Sequence, residues 1–432
     1  MRAKYMRPVG AGLALLLALS GPAHASASAI DSGDTAFIIT ASALVLFMTL
    51  PGLALFYGGL VRAKNFLSIL MQCFAICALV SVLWAAGGYS LVFSAGTPWI
   101  GDLSTLGLQQ LSNARTGLTI PENVFALYQM MFAIITPALM IGAFPERVRF
   151  GWVMLFTTGW LLVVYIPVAH WIWGGGWLAA RGTLDFAGGI VVHTTAGISA
   201  LVIALMIGRR RGFPQTMIPP HSPAMTMIGA GMLWVGWFGF NGGSALAANA
   251  SAGGALLSTH LAASAAALGW AALEKLKIGK ATSVGLVTGA VAGLATVTPA
   301  AGYISPLGGV ACGLAGSLVC FFAVLTIKQR LRIDDSLDVF AVHGVGGMLG
   351  SLLLAPLASE EMGGVGLSGG RSVLDQLGVQ LQALVAVIVL SALASWILAT
   401  LAGLIVPMRV DAESEHDGLD LASHGERAYE FD

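Results

Sequence analysis

From the amino terminus onward, long apolar runs alternate with short polar breaks, and the runs have the length that a bilayer imposes. A helix crossing a hydrocarbon core of about 30 Å needs ~20 mostly apolar residues. Windows of that size predict eleven spans, at 34–60, 65–93, 122–144, 150–171, 186–208, 222–241, 250–273, 283–299, 307–327, 336–356 and 374–408. The pattern therefore specifies an all-α polytopic membrane protein. Ahead of the first span, residues 1–25 read as a basic start (Arg2, Lys4, Arg7), an apolar run too short to span, and the small-residue ending Ala23-His24-Ala25. That is the form of a cleavable secretory signal, the alternative being an uncleaved first anchor. Cleavage would leave an eleven-span domain at 26–408 and a polar, acidic tail at 409–432, read either as solvated or as a docking segment.

The scarce basic residues test the span count. With the mature N-terminus outside, the inward loops and tail hold fifteen of the eighteen Lys and Arg that follow the signal, and only Arg115, Arg181 and Arg371 face out. One missed helix would scramble every later loop, so the asymmetry supports eleven spans. Composition agrees: 57% of residues are hydrophobic and 10% charged, against about 25% charged in soluble proteins. Lys plus Arg equal Asp plus Glu at 21 each, so no basic surface invites nucleic acid. Glycine, 56 of 432 residues, is nearly twice its usual share of about 7%, as expected where helix backbones approach closely. The four cysteines fall within spans and suggest packing, without a disulfide framework or metal motif.

An internal repeat locates the chemistry. Asp185, seven residues, His193, three residues, Gly197 recurs as Asp335, seven residues, His343, three residues, Gly347. Phe56-Tyr57-Gly58-Gly59 in the first span is echoed by Phe240-Asn241-Gly242-Gly243 in the sixth. The spans thus divide into two five-helix halves, about 34–208 and 222–356, with the eleventh span (374–408) added. Because five is odd, the halves are inverted with respect to each other. Each histidine lies eight residues, about 12 Å, along its helix from opposite faces, so both imidazoles are expected near the bilayer centre. Ionisable groups at that depth mark pathways for ions or protons. A metal site lacks a third ligand at suitable spacing, and two neutral imidazoles in contact more readily share a proton. His170 and His260 are expected to be hydrogen-bonded packing residues. Asp185 and Asp335 fall where N-caps belong, and Asp185 adds negative potential to the outer half of the path.

Tyr128, Phe132, Trp173, Trp237, Phe238 and Phe240 gather towards the outward ends of spans three, four and six, with Ser244 close by. An interfacial belt is the plain explanation. Their alternation with glycine through 237–244 argues instead for a cavity, in which aromatic faces attract a small cation and a hydroxyl accepts from a donor-only ligand. The combination suits a small amine, held as a cation between rings and passed in neutral form along an apolar lane.

At the level of motifs, the chain resembles the Amt/Mep/Rh ammonium transporters, most closely the bacterial Amt branch. The likeness runs from about residue 34 to 429 and rests on the blocks at 46–62, 169–176, 184–189, 236–241 and 338–344. It implies an ammonium transporter without cofactor, metal or enzymatic activity. Trp173, Ser244, Tyr128 and Phe132 match the outer recruitment site, and Phe132 and Phe240 the phenyl gate below it. His193 and His343, with Trp237 beside them, match the pore and proton relay, and Asp185 the supporting acid. The same resemblance implies ammonium or methylammonium as substrate and a homotrimer in the bacterial inner membrane with its tail in the cytoplasm. The tail at 418–429 resembles the family tail that, in bacterial members, works with a PII-type signal protein. Tyr128 stands where Phe is common, adding a hydroxyl within reach of a bound substrate. An ammonium sensor with little flux and a passive, Rh-like gas channel are the competing readings.

Overall fold

The computed structural model describes residues 29–109, 111–216 and 218–430. The signal segment at 1–25 lies outside them. Among the described residues the regular structure is helical, with three isolated β-bridges in the loops. Ten helices are long and apolar enough to cross a membrane: Ser32–Leu60, Ala63–Phe93, Glu122–Ala143, Phe150–Ala180, Gly189–Ile207, Pro223–Gly242, Ala250–Ile278, Pro306–Arg330, Phe340–Leu357 and Val373–Ile405. An eleventh, Ser283–Val297, is apolar but has 15 residues; it packs among its neighbours and ends in a buried turn. The architecture is compatible with eleven spans, and each helix overlaps a window chosen from hydropathy.

The boundaries that differ have local causes. Spans five and ten begin at Gly189 and Phe340, a few residues later than the windows, because Asp185 and Asp335 cap them. Asp185 accepts backbone N–H groups of Gly188, Gly189, Ile190 and Val191 at 2.7–3.1 Å. Asp335 accepts those of Val339 and Phe340. Span seven runs on to Ile278, because Glu274, Lys275 and Lys277 end the apolar window without ending the helix. Glu274 there receives the Thr282 N–H at 2.7 Å, tying the next helix start to this one.

The repeat appears in the backbone as well. Tight α-helix gives way to wider π-helical turns at Met48–Leu53 and Phe238–Gly242, in spans one and six, and at Gly189–Thr194 and Phe340–Gly344, in spans five and ten. Such turns in a helix commonly mark functional positions. Glycine lets the last pair cross closely: a Cβ on Gly197 would lie 2.3 Å from Gly344 Cα, and one on Gly347 would lie 2.7 Å from His193 Cβ. The glycine of the repeated motif, one turn beyond each histidine, is thus the residue at which the helices touch.

At the basic end of the bundle a buried charge network joins the loops. Glu146 accepts from Arg62 Nε and Asn65 Nδ2 at 3.1 Å, and Arg210 pairs with Asp334 at 3.0 Å. Arg147, fully buried, donates to Ser336 Oγ at 2.7 Å and to the carbonyls of Asp334, Ala143 and Gly208. The tail docks here in two short helices, Ala412–Asp417 and Leu419–His424. The Asp420 carboxylate caps the second span by accepting the N–H groups of Leu67 and Ser68, and Asn65 Oδ1 accepts that of Leu419. The tail is thus packed against the loops of its own bundle.

Candidate conduction pathway

Three spaces line up through the bundle. At the end opposite the charge network, a cavity of about 350 Å³ is lined by Phe93, Phe125, Gln129, Phe132, Trp173, Asp185 and Ser244, among others. A narrow lane of about 10 Å³ is bounded by Phe240, Trp237, His193, His343 and aliphatic side chains including Leu53, Ile135 and Leu139. At the basic end a cavity of about 410 Å³ reaches His343 and is walled by Phe56, Tyr57, Arg210, Lys328 and Asp338.

Between the first cavity and the lane, Phe132 and Phe240 stack with centroids 4.3 Å apart and planes 26° from parallel. Both are buried, so the rings close the floor of the cavity. Trp173 meets Phe132 edge-on at 5.6 Å and is fixed by its indole N–H, which donates to the Asp185 carbonyl at 2.8 Å. Asp185 thus holds the site from both ends: its carboxylate organises the start of span five and its carbonyl orients Trp173.

Ser244 Oγ donates to the Phe240 carbonyl at 2.8 Å, which uses its single proton and leaves its oxygen lone pairs available to the cavity. Tyr128 sits differently from the expectation of a substrate-facing hydroxyl. Its oxygen lies 2.9 and 2.8 Å from the Gly239 and Phe240 carbonyls and 3.2 Å from Ser244 Oγ, and the ring is absent from the cavity wall. The phenol thus closes on carbonyls of the π-helical turn at Phe238–Gly242, of which Gly239 O also accepts the Gly243 N–H.

Below the stacked rings, His193 Nδ1 and His343 Nδ1 are 3.2 Å apart, with ring centroids at 5.2 Å. The two rings from opposite halves do meet. One Nδ1 must donate and the other accept, so the neutral pair carries opposite tautomers. Trp237 stacks on His193 at 5.5 Å and 17°, held by its N–H to Thr298 Oγ1 at 2.9 Å. His193 Nε2 is buried with no hydrogen-bond partner.

His170 and His260 lie off this path. Both His170 ring nitrogens face backbone carbonyls, Val92 O at 2.7 Å and Thr97 O at 2.9 Å, consistent with a packing role. His260, expected to be hydrogen-bonded and packed, is exposed and rests on Trp234 and Phe238, because its position on span seven faces outward from the bundle. Phe238 goes with it, away from the lane.

Gln129 in the first cavity and Arg210, Lys328 and Asp338 in the last were not singled out from sequence. Gln129 had a legible signal: with Phe125 and Phe132 it occupies positions i−4, i and i+3 of one helix face. Arg210 and Asp338 come from loops and Lys328 from the last turn of the helix Pro306–Arg330, and their convergence is not encoded in the hydropathy pattern.

Comparison with known proteins follows the same architecture. The family model "Ammonium Transporter Family" matches residues 36–429. An ammonium transporter of Bacillus subtilis is 42% identical over 406 residues, covering 93% of this chain and 99% of that protein. One of Aquifex aeolicus is 42% identical over 431 residues, 98% of this chain and all of that protein. Among solved structures, Candida albicans Mep2 superimposes with a TM-score of 0.81 at 36% identity, covering 89% of this chain and 88% of that one. A protein described as a sensor Amt protein gives 0.85 at 28%, covering 91% and 98%. An all-helical, polytopic membrane protein is thereby defined as a transporter and not an enzyme. The chain belongs to the ammonium transporter family, and ammonium is what it transports.

Proposed function

We propose that the protein recruits NH4+ in the outer cavity, strips one proton at the Phe132–Phe240 stack and passes NH3 along the lane. The observation that carries this reading is the lane itself: about 10 Å³ beneath stacked rings, ending on a histidine pair. That is room for about one water-sized molecule. An ion entering it sheds its hydration, at an idealised cost on the order of 20 kcal/mol in a medium of low dielectric, whereas the neutral amine has no such penalty. In the outer cavity the rings of Trp173 and Phe132 attract the cation, Ser244 Oγ accepts one N–H, and Asp185 contributes negative potential.

The histidines supply a separate route for the proton. A proton accepted on His193 Nε2 makes an imidazolium, whose Nδ1 proton passes to His343 Nδ1 across their 3.2 Å nitrogen–nitrogen contact. The Nε2 proton of His343 then leaves into the inner cavity. One proton has crossed and both rings are neutral, with their tautomers exchanged. In this reading the outer cavity faces the periplasm and the docked tail the cytoplasm of a bacterial inner membrane, with residues 1–25 removed as a signal. Assembly as a homotrimer, methylammonium as a second substrate and a PII-type protein on the tail belong to the same proposal.

Ammonium addition to proteoliposomes on a solid-supported membrane tests it. The native protein gives a saturable current that a potassium pulse does not reproduce, and the double variant His193→Ala/His343→Ala loses at least tenfold of it. Unaltered saturable current in the variant would overturn the relay. The likeness to a protein described as a sensor favours a second reading, a sensor with little flux; a properly assembled native protein that gives no current would select it.

A further inference from the structure

The wall of the outer cavity includes a polar side chain with a buried, unpartnered oxygen. Gln129 is 8% exposed, lines the cavity, and its Oε1 is buried without a hydrogen-bond partner. Leaving a buried amide unpaired is costly in a folded protein, and such groups are rare unless a water or ligand completes them. Two further polar groups of the cavity are already committed, the Asp185 carboxylate to four backbone N–H groups and the Ser244 proton to the Phe240 carbonyl, while the Ser251 and Tyr303 hydroxyls also line the space. Phe125, one turn before Gln129, and Phe132, one turn after, line the same cavity, so the amide sits in a stripe of aromatic rings.

We propose that Gln129 is a second hydrogen-bond acceptor for the cation in the outer cavity, acting with Ser244 to set the preference for ammonium over methylammonium. This rests on the reading of that cavity as the recruitment site. Ammonium offers four N–H donors in a tetrahedron. Two go to the Ser244 and Gln129 oxygens, and the remaining directions face aromatic rings. Methylammonium has three donors and a methyl group, so satisfying both oxygens constrains where the methyl can lie. Two neutral oxygens are too few to replace the hydration shell of a metal cation such as potassium. Removing the amide therefore weakens ammonium more than methylammonium and lowers discrimination between them.

Half-saturating concentrations of ammonium and methylammonium, read from supported-membrane currents in native, Gln129→Leu, Gln129→Glu and Ser244→Ala proteins, provide the test. Gln129→Leu is expected to raise the ammonium value about tenfold, the worth of one hydrogen bond to a charged ligand, with maximal current kept. The methylammonium value rises less, and Gln129→Glu, which retains an acceptor, restores tight recruitment. An unchanged half-saturation in Gln129→Leu, or a loss of maximal current alone, overturns the proposal when Ser244→Ala still raises the ammonium value. If neither variant moves it, the recruitment site itself has been misread. Should Gln129→Leu fail to assemble, Gln129→Met carries the same comparison.

Discussion

The glycine at each repeated motif is the smallest structural feature with the largest consequence. A methyl group on Gly197 would meet Gly344 Cα and N at 2.3 and 2.4 Å, backbone atoms that cannot rotate away. Gly197→Ala is thus expected to force spans five and ten apart, open the 3.2 Å imidazole contact and cut ammonium current at least tenfold; a variant with native current would show that the pair need not touch. The spacing of aspartate, histidine and glycine was legible in the sequence because it occurs twice. For Gln129 the helix-face spacing was legible but its significance was not, because that is the absence of a partner, which only the folded neighbourhood defines. The partners of the Tyr128 hydroxyl were not legible for a related reason: they are carbonyls of a π-helical turn in another span.

At the scale of elements, hydropathy located each of the ten membrane-length helices among the described residues, since the bilayer fixes length and apolarity together. It could not locate the turns inside them. The π-helical segment at Gly189–Thr194 is set by which carbonyl each N–H finds: both Val192 and His193 reach back to Gly188 O, while the Asp185 carboxylate holds the four N–H groups from Gly188 to Val191. Asp185 is thus a positioning residue as well as a charge, and Asp185→Asn separates the two roles. The amide NH2 would face backbone donors, so the variant should lose about 1–3 kcal/mol of stability, read by thermal unfolding in detergent. An equally stable variant with weakened recruitment would assign the residue to electrostatics alone. Span eight, the shortest, is the element whose count hydropathy and structure weigh differently, because an apolar helix enclosed by others need not match the bilayer thickness.

Across the whole molecule, the charge network at the basic end joins loops that are distant in sequence, and it makes stability depend on pH. Burial alone would raise the carboxyls of Glu146 and Asp334, but the guanidiniums of Arg62 and Arg210 hold Glu146, and those of Arg210 and Arg147 hold Asp334, below their ordinary values. A depressed carboxyl contributes stability that is complete above its unfolded value of about 4 and is lost as pH falls through the lower folded value. The unfolding temperature in detergent should therefore drop on acidification below about pH 4, and Glu146→Gln/Asp334→Asn should start lower and lack that part of the drop. Arg147→Met, which removes the donor to the buried carbonyls of Ala143, Asp334 and Gly208 while Arg210 still pairs the Asp334 carboxylate, should cost about 3 kcal/mol in the same measurement; a near-native midpoint would mean the network is dispensable. The narrow lane has a consequence for the membrane as well as for the substrate. A continuous column of water through a protein this abundant in glycine crossings would discharge the proton and potassium gradients across the bilayer. With stacked rings over a space of about one water, the protein can stay in place as an insulator while a neutral molecule slips through.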